Sequence, residues 1–163
     1  MKRRSGTKPS PKLPEPTFFT DRDLGKVVPN ILRENGLLVE RYGDHFFEKN
    51  VTDQEWLAYA ARKGWVALSH DQNIKRDPVA VRTVMEENGR LFIVRGQLTG
   101  SGAADLILGA LRSIRFILAR HQEAFIAVVR RASTQGGLLR PEAEVYLTLS
   151  QWKSGRIVLT DES

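Results

Sequence analysis

Short β-prone runs alternate with stretches of helical periodicity through most of this chain, and that alternation restricts the fold more than any other feature. The runs lie at residues 17–20, 37–41, 65–68, 91–94 and 125–129. Between them, apolar residues return at three- and four-residue intervals: Leu24, Val27, Val28, Ile31 and Leu32; then Trp56, Leu57, Ala60 and Ala61; then Val81, Val84 and Met85. Thr52-Asp53-Gln54-Glu55 has the form of a capping box, and Asp77-Pro78 reads as an N-cap followed by Pro at the first helical position. Gly36, Gly64 and Gly89 supply helix stops, and Pro29 limits where the first helix starts or bends it. A long helix is expected over about 102–121, with Leu106, Ile107, Ala110, Leu111, Ile114, Ile117 and Leu118 as its stripe. Past residue 129 the pattern weakens. It suggests a loop at 133–137, a strand at 145–149 and a short last strand at 156–159. Strands joined through helices imply a parallel sheet buried on both faces, so the expected class is α/β, a three-layer sandwich with a mainly parallel central sheet. Residues 1–16 are Lys, Arg, Ser and Pro with almost no apolar content and read as a flexible basic tail, which leaves 17–163 as a single domain.

Composition narrows the chemistry. The 163 residues suffice for one real core. There is no cysteine, which excludes disulfide staples, thiolate zinc sites and thiol catalysis. No apolar stretch is long enough to span a bilayer, and the basic start runs into Pro and Lys rather than an apolar segment, so no secretory signal is expected and a cytoplasmic location is. A net charge of +6 and a pI near 9.9 favour an anionic partner, either nucleic acid or an acidic protein.

The acids fall in a pattern. Asp21 follows the first strand, Asp71 follows the third, and Asp53 opens the helix that leads into the third. Ligands of open α/β sheets sit at the carboxyl ends of the strands, so neighbouring first and third strands would turn all three acids into one crevice. Carboxylates gathered there repel one another unless a cation lies among them. Mg²⁺ suits such a site, since it takes a few carboxylate oxygens and keeps several waters, and it can activate a water and stabilise charge on a phosphate. Asp44, in Gly43-Asp44-His45, follows the second strand and can join them. Each acid also has a local role open to it: Asp53 at a helix N-terminus, Asp71 in an Asx-turn, Asp21 or Asp23 capping the first helix. Glu55 completes the capping box. His45 and His70 have no third histidine nearby to suggest a transition-metal cage.

The string "FFTDRDLG", followed by D-x-E-W-L-x-x-A-x-x-x-G-W-V-x-L-S-x-D-x-N from Asp53 to Asn73, resembles the PIN-domain superfamily, and in particular the PIN-like toxins of bacterial toxin–antitoxin modules. That family has an Asp ending the first strand, matched by Asp21. It has an Asp opening a helix that runs into A-x-x-x-G, matched by Asp53, and a strand ending T-x-D-x-D/N, matched by Ser69, Asp71 and Asn73. The resemblance covers about residues 17–95. It implies a PIN-like fold and a ribonuclease dependent on Mg²⁺ (or Mn²⁺), with Asp21, Asp53 and Asp71 holding the metal. Ser69 would orient an acid or a water, and Asn73 would be a weaker neutral ligand. Arg22, Lys75 and Arg76 would hold RNA backbone. A cognate antitoxin is the implied partner, and a homodimer is a further expectation. The helical acid usual in the family has no clear counterpart here. Asp44 can substitute for it from a loop, and Asp23 is the lesser candidate. Residues 96–163 form an extension without a motif, in which the long helix is available for packing, dimerisation or partner binding.

Two other readings use the same residues. A non-catalytic PIN-like module would bind RNA or protein without holding a metal. A response-regulator-like domain also gathers acids at strand ends, but wants a phosphorylatable Asp after a middle strand and a Lys late in the sheet, and neither is clear here.

Overall fold

The structure, a computed structural model, describes residues 14–47, 49–134 and 136–155. Most of the basic tail and the strand expected at 156–159 lie outside the described residues. Six strands form one sheet in the order β2-β1-β3-β4-β5-β6: β1 (Thr17–Thr20), β2 (Leu38–Arg41), β3 (Val66–Ser69), β4 (Arg90–Val94), β5 (Phe125–Ser133) and β6 (Leu139–Thr148). The first five are parallel to their neighbours, and β6 runs antiparallel to β5. The class is α/β, as the strand–helix alternation implies.

The two-residue period of the strands sorts the core into two layers. On one face Phe18, Val66, Leu68, Phe92, Val94, Phe125 and Val129 pack against α1 (Val27–Glu34), α5 (Gly100–Gly109) and α6 (Leu111–Arg120). On the other, Phe19, Ala67, Leu91, Ile93 and Ile126 pack against α3 (Asp53–Arg62) and α4 (Pro78–Glu86), with Tyr42 of α2 (Tyr42–Phe46) beside them. Helix, sheet and helix make three layers. The central strands are buried on both faces, which is why their sequences are runs of apolar residues rather than alternations.

Local signals place the ends of these elements. The Thr52 hydroxyl accepts from the Glu55 N–H while the Glu55 carboxylate accepts from the Thr52 N–H, which closes the capping box. Asp77 caps α4 through the Val79 N–H, and Pro78 follows it. Gly64 ends α3 with φ of +76°, and Trp65 N–H reaches back to Ala60 C=O. This left-handed residue turns the chain from helix into β3. Pro29 lies in the first turn of α1, where its missing N–H had no partner to lose.

Three expectations need correction. The single helix at 102–121 is two helices, α5 and α6, hinged at Ala110. Gly109 faces Pro141 of β6 so closely that a Cβ would lie 2.7 Å from the ring Cγ. Ser113 Oγ then bonds Ala110 C=O and accepts from the Ala143 N–H at 2.7 Å, fixing the bend onto β6. The loop expected at 133–137 is shorter: β5 continues to Ser133 and pairs with β6 from Leu139 to Thr148, so the strand expected at 145–149 starts six residues earlier and stops before Leu149. Pro141 is tolerated there because β6 is an edge strand. Gly43-Asp44-His45 is not a loop but part of the short helix α2.

The close approach of Gly109 makes a stability prediction. Gly109→Val should destabilise by about 1–3 kcal/mol, the usual range for overpacking, although leaving glycine in a helix would otherwise help. Urea unfolding measures it, and a variant as stable as the parent would show that the contact with Pro141 does not constrain the bend.

Candidate metal centre

The pairing of β1 between β2 and β3 creates the switch point of the sheet, where the chain leaves one strand to opposite sides. Ligands collect at such points beyond the carboxyl ends of the strands. A pocket of about 250 Å³ lies there, lined by Asp21, Arg22, Asp23, Tyr42, Val51, Asp53, Trp56 and Asp71. Four carboxylates and one guanidinium therefore share it.

Each acid is held by local structure. Asp21 follows Thr20, and its N–H continues the ladder to Leu68 C=O. Its carboxylate caps a 3-10 turn (Arg22–Leu24) by accepting from the Arg22 N–H at 2.6 Å, and accepts from the Ser69 hydroxyl at 2.9 Å. Ser69, wholly buried at the end of β3, in turn accepts from the Asp71 N–H at 3.0 Å. One hydroxyl thus ties the first acid to the third. Asp71 Oδ1 accepts from the Asn73 N–H at 2.9 Å, so Asp71 makes its own Asx-turn and still lines the pocket. Asp53, first residue of α3, accepts from the Trp56 indole N–H at 3.0 Å. Trp56 is stacked on Phe19 in the core, so the indole is a fixed donor.

Burial leaves Asp21 poorly solvated, with 7 % of its surface exposed. Desolvation, with Asp23 and then Asp53 adding repulsion, pushes its carboxyl up to about 7, against the opposing bonds from Ser69 and the Arg22 N–H. The Asp23 carboxyl is also raised, first by desolvation, while the His70 N–H, bonded to it at 3.1 Å, pulls the other way. Arg22 does not neutralise them: its guanidinium bonds Asn50 and lies 5.7 Å over the Tyr42 ring.

Among the described residues, no group of three or more His, Asp or Glu side chains is set, as it stands, to hold a metal ion. The donor set nonetheless fits a hard divalent cation. It offers carboxylate oxygens, carries an excess of negative charge, and includes one carboxyl whose ionisation is opposed by burial.

The other candidates are placed as follows. Asp44 turns away on α2 and pairs with Arg41 at 2.8 Å and Arg33 at 3.8 Å, and it does not line the pocket. Asp23 does. The signal for it was the D-x-D of Asp21-Arg22-Asp23: the 3-10 turn swings the second acid back toward β3. The Asn73 N–H serves Asp71, but Asn73 is not among the pocket's lining residues. Arg22 stands at the pocket rim, and Arg76 is exposed at the end of a second 3-10 turn (Ile74–Arg76). Lys75 corrects the expectation of a backbone contact: it is 2 % exposed, with its ammonium 5.0 Å over the ring of Tyr146. Tyr42, Val51 and Trp56 line the pocket without any sequence signal for that role.

The model of a family described as "PIN like domain" matches residues 16–96, which contain β1 to β4 and every residue lining the pocket. A Mycobacterium tuberculosis protein named "Putative ribonuclease VapC45" is 36% identical over 102 residues, covering 60% of this chain and 74% of that protein. The chain belongs to the PIN-like domain family. No solved structure matches it. In this PIN-like chain α5, α6, the β5–β6 hairpin and a last short helix, α7 (Leu149–Lys153), lie beyond the family match. No helix of the described residues is long and apolar enough to cross a membrane.

Proposed function

We propose that the chain is a divalent-metal-dependent endoribonuclease, the cytoplasmic toxin of a toxin–antitoxin pair. The observation that carries this reading is the convergence of Asp21, Asp23, Asp53 and Asp71 on one pocket whose lining holds a single cationic side chain, Arg22. The name of the mycobacterial relative supports the substrate class. Asp21, Asp53 and Asp71 would hold Mg²⁺ or Mn²⁺, with Asp23 as the fourth acid in place of Asp44. When bound, the cation would lower the pKa of a water and offset charge on a phosphate.

The chain's own groups do the rest. Ser69 donates to Asp21 and accepts from the Asp71 N–H, which keeps both carboxylates turned to the pocket. The Trp56 indole N–H fixes Asp53 Oδ1 and leaves Oδ2 for a ligand. Arg22 at the rim is the nearest guanidinium for a phosphate. A cognate antitoxin would silence this edge by covering it, and Phe116, 61% exposed on α6, offers an apolar anchor for such a partner or a second copy.

The test is cleavage of single-stranded RNA by the purified chain with Mg²⁺, Mn²⁺ or EDTA. Cleavage with either ion and none in EDTA is expected; equal cleavage in EDTA contradicts the metal mechanism. Among the described residues no three acids are set together as they stand for a metal, which favours a second reading, a non-catalytic module that binds RNA or protein. That module would bind RNA and cleave it under none of these conditions.

A further inference from the structure

The acid pocket without a cation is a poor holder of RNA, because its four carboxylates repel a phosphate backbone and Arg22 is the one cationic side chain among its lining residues. Counter-charge must come from elsewhere on the molecule. The same edge of the sheet supplies it, with Arg95 at the end of the family match and Arg130 and Arg131 beyond it. Arg95 follows β4, and Arg130 and Arg131 lie on β5 just past the last rung, Val94 to Val129. These three, with Glu144 of β6 and Leu106 of α5, line a groove of about 670 Å³. Glu144 engages only Arg130, at 2.9 Å. Among the described residues Arg95 and Arg131 have no acidic partner, so three arginines line the groove against one glutamate.

The groove is joined to the pocket. His70 Nε2 bonds Gly96 C=O at 2.7 Å, and the Gln72 amide donates to Val94 C=O at 2.7 Å. These bonds fix the loop that carries Asp71 to the turn that carries Arg95. The pocket lies over β1 and β3 and the groove over β4 and β5, two strand spacings away, or about 10 Å.

We propose that this groove is a second phosphate subsite, in which Arg95, Arg130 and Arg131 hold the backbone of a single-stranded RNA some nucleotides away from the carboxylate pocket. The inference rests on the ribonuclease reading. Guanidinium forks match phosphate oxygens in pairs, and two of the three are uncommitted. An RNA strand lying across the strand ends meets acids where it is cut and arginines where it is held. Continuity with the pocket favours RNA over an acidic protein segment as the occupant. The β5–β6 hairpin thereby gains a role that the PIN-like match does not give it.

The experiment measures binding of a labelled single-stranded RNA to the full chain in EDTA, across a salt series, for the parent, Arg95→Ala/Arg131→Ala, and Glu144→Gln. The double variant should bind about 10-fold more weakly at low salt. Its plot of log affinity against log salt should be shallower by about 1.4, since each phosphate contact on a single strand contributes about 0.7. Glu144→Gln should bind more tightly, because it removes the one acid and frees Arg130. Arg131→Glu alone, at an exposed position, gives the same direction should the double variant fold poorly. A parent that binds and cleaves RNA with unchanged affinity and slope in these variants overturns the groove and leaves the ribonuclease reading standing. A parent that neither binds nor cleaves RNA overturns both. Capture of a polyglutamate peptide by the groove, with RNA binding unaltered by the substitutions, also overturns it.

Discussion

Asp71→Asn should lower RNA cleavage at least about 100-fold while the protein folds as before. The amide keeps the size of the side chain, and its oxygen can still accept from the Asn73 N–H, so the Asx-turn survives. What disappears is the charge that faces the pocket. Losses of about 10–100-fold are usual when groups that only orient a metal's ligands are removed, and a ligand itself should cost more. The change should leave stability within about 0.5 kcal/mol, because no core contact is touched. Glu55→Gln is the matched control on the same side of the molecule. Glu55 is exposed, its carboxyl is held below the ordinary range by the Thr52 N–H and hydroxyl, and Gln completes the capping box equally well. Steady-state cleavage and a thermal melt on both variants make the comparison. Full turnover by Asp71→Asn would remove Asp71 from the site.

The second large effect is on stability. In the metal-free fold the Asp21 carboxyl is pushed from 3.8 to about 7, chiefly by burial and then by Asp23. The folded protein therefore holds a proton that the unfolded chain releases. The stability tied to that proton is fully present below about pH 4 and is lost as pH rises through about 7. By pH 8 the loss from this one group is on the order of 4 kcal/mol. Asp21→Asn carries no such charge, so its stability relative to the parent should climb across that window. Unfolding curves for both metal-free proteins between pH 4 and 8 give the difference, with titrating groups remote from Asp21 cancelling. Adding Mn²⁺ at pH 8 should restore the parent and do little for the variant. Parallel pH profiles would mean that Asp21 ionises without penalty and that the pocket has no unmet need for a cation.

How far the sequence reveals this arrangement depends on the range of the forces involved. The strands β1 to β4 and the helices between them are legible because each is set by its own residues: the Thr52 box, the Asp77-Pro78 cap, the Gly64 turn. Asp21, Asp53 and Asp71 stand out for the same reason, as they sit where strands end and a helix begins. The break at Ala110 is not legible, because it arises where Gly109 meets Pro141, far along the chain. The β5–β6 hairpin hides for a different reason: its outer half is charged and half-exposed, so its alternation is weak. The helix α7 (Leu149–Lys153) does carry a signal, the box from Thr148 to Gln151, but the apolar run before it reads more strongly as strand.

The same distinction separates the acids. Asp44 follows a strand like its counterparts, yet α2 turns it toward Arg41 and Arg33. Asp23 reaches the pocket only because Asp21 caps a 3-10 turn beneath it. Lys75 looks like a surface cation in a basic run, and is buried because β6 lays Tyr146 against it. Each is a tertiary outcome that local pattern does not encode.

The central claim is that these carboxylates form one divalent-cation site, and locating the ion tests it most directly. Crystals of the full chain grown with Mn²⁺ would be measured for anomalous scattering from manganese. The account expects a peak in the pocket at the ends of β1 and β3, within ligand distance of Asp21 and Asp71. A peak elsewhere, or a pocket without manganese at millimolar concentration, would contradict it.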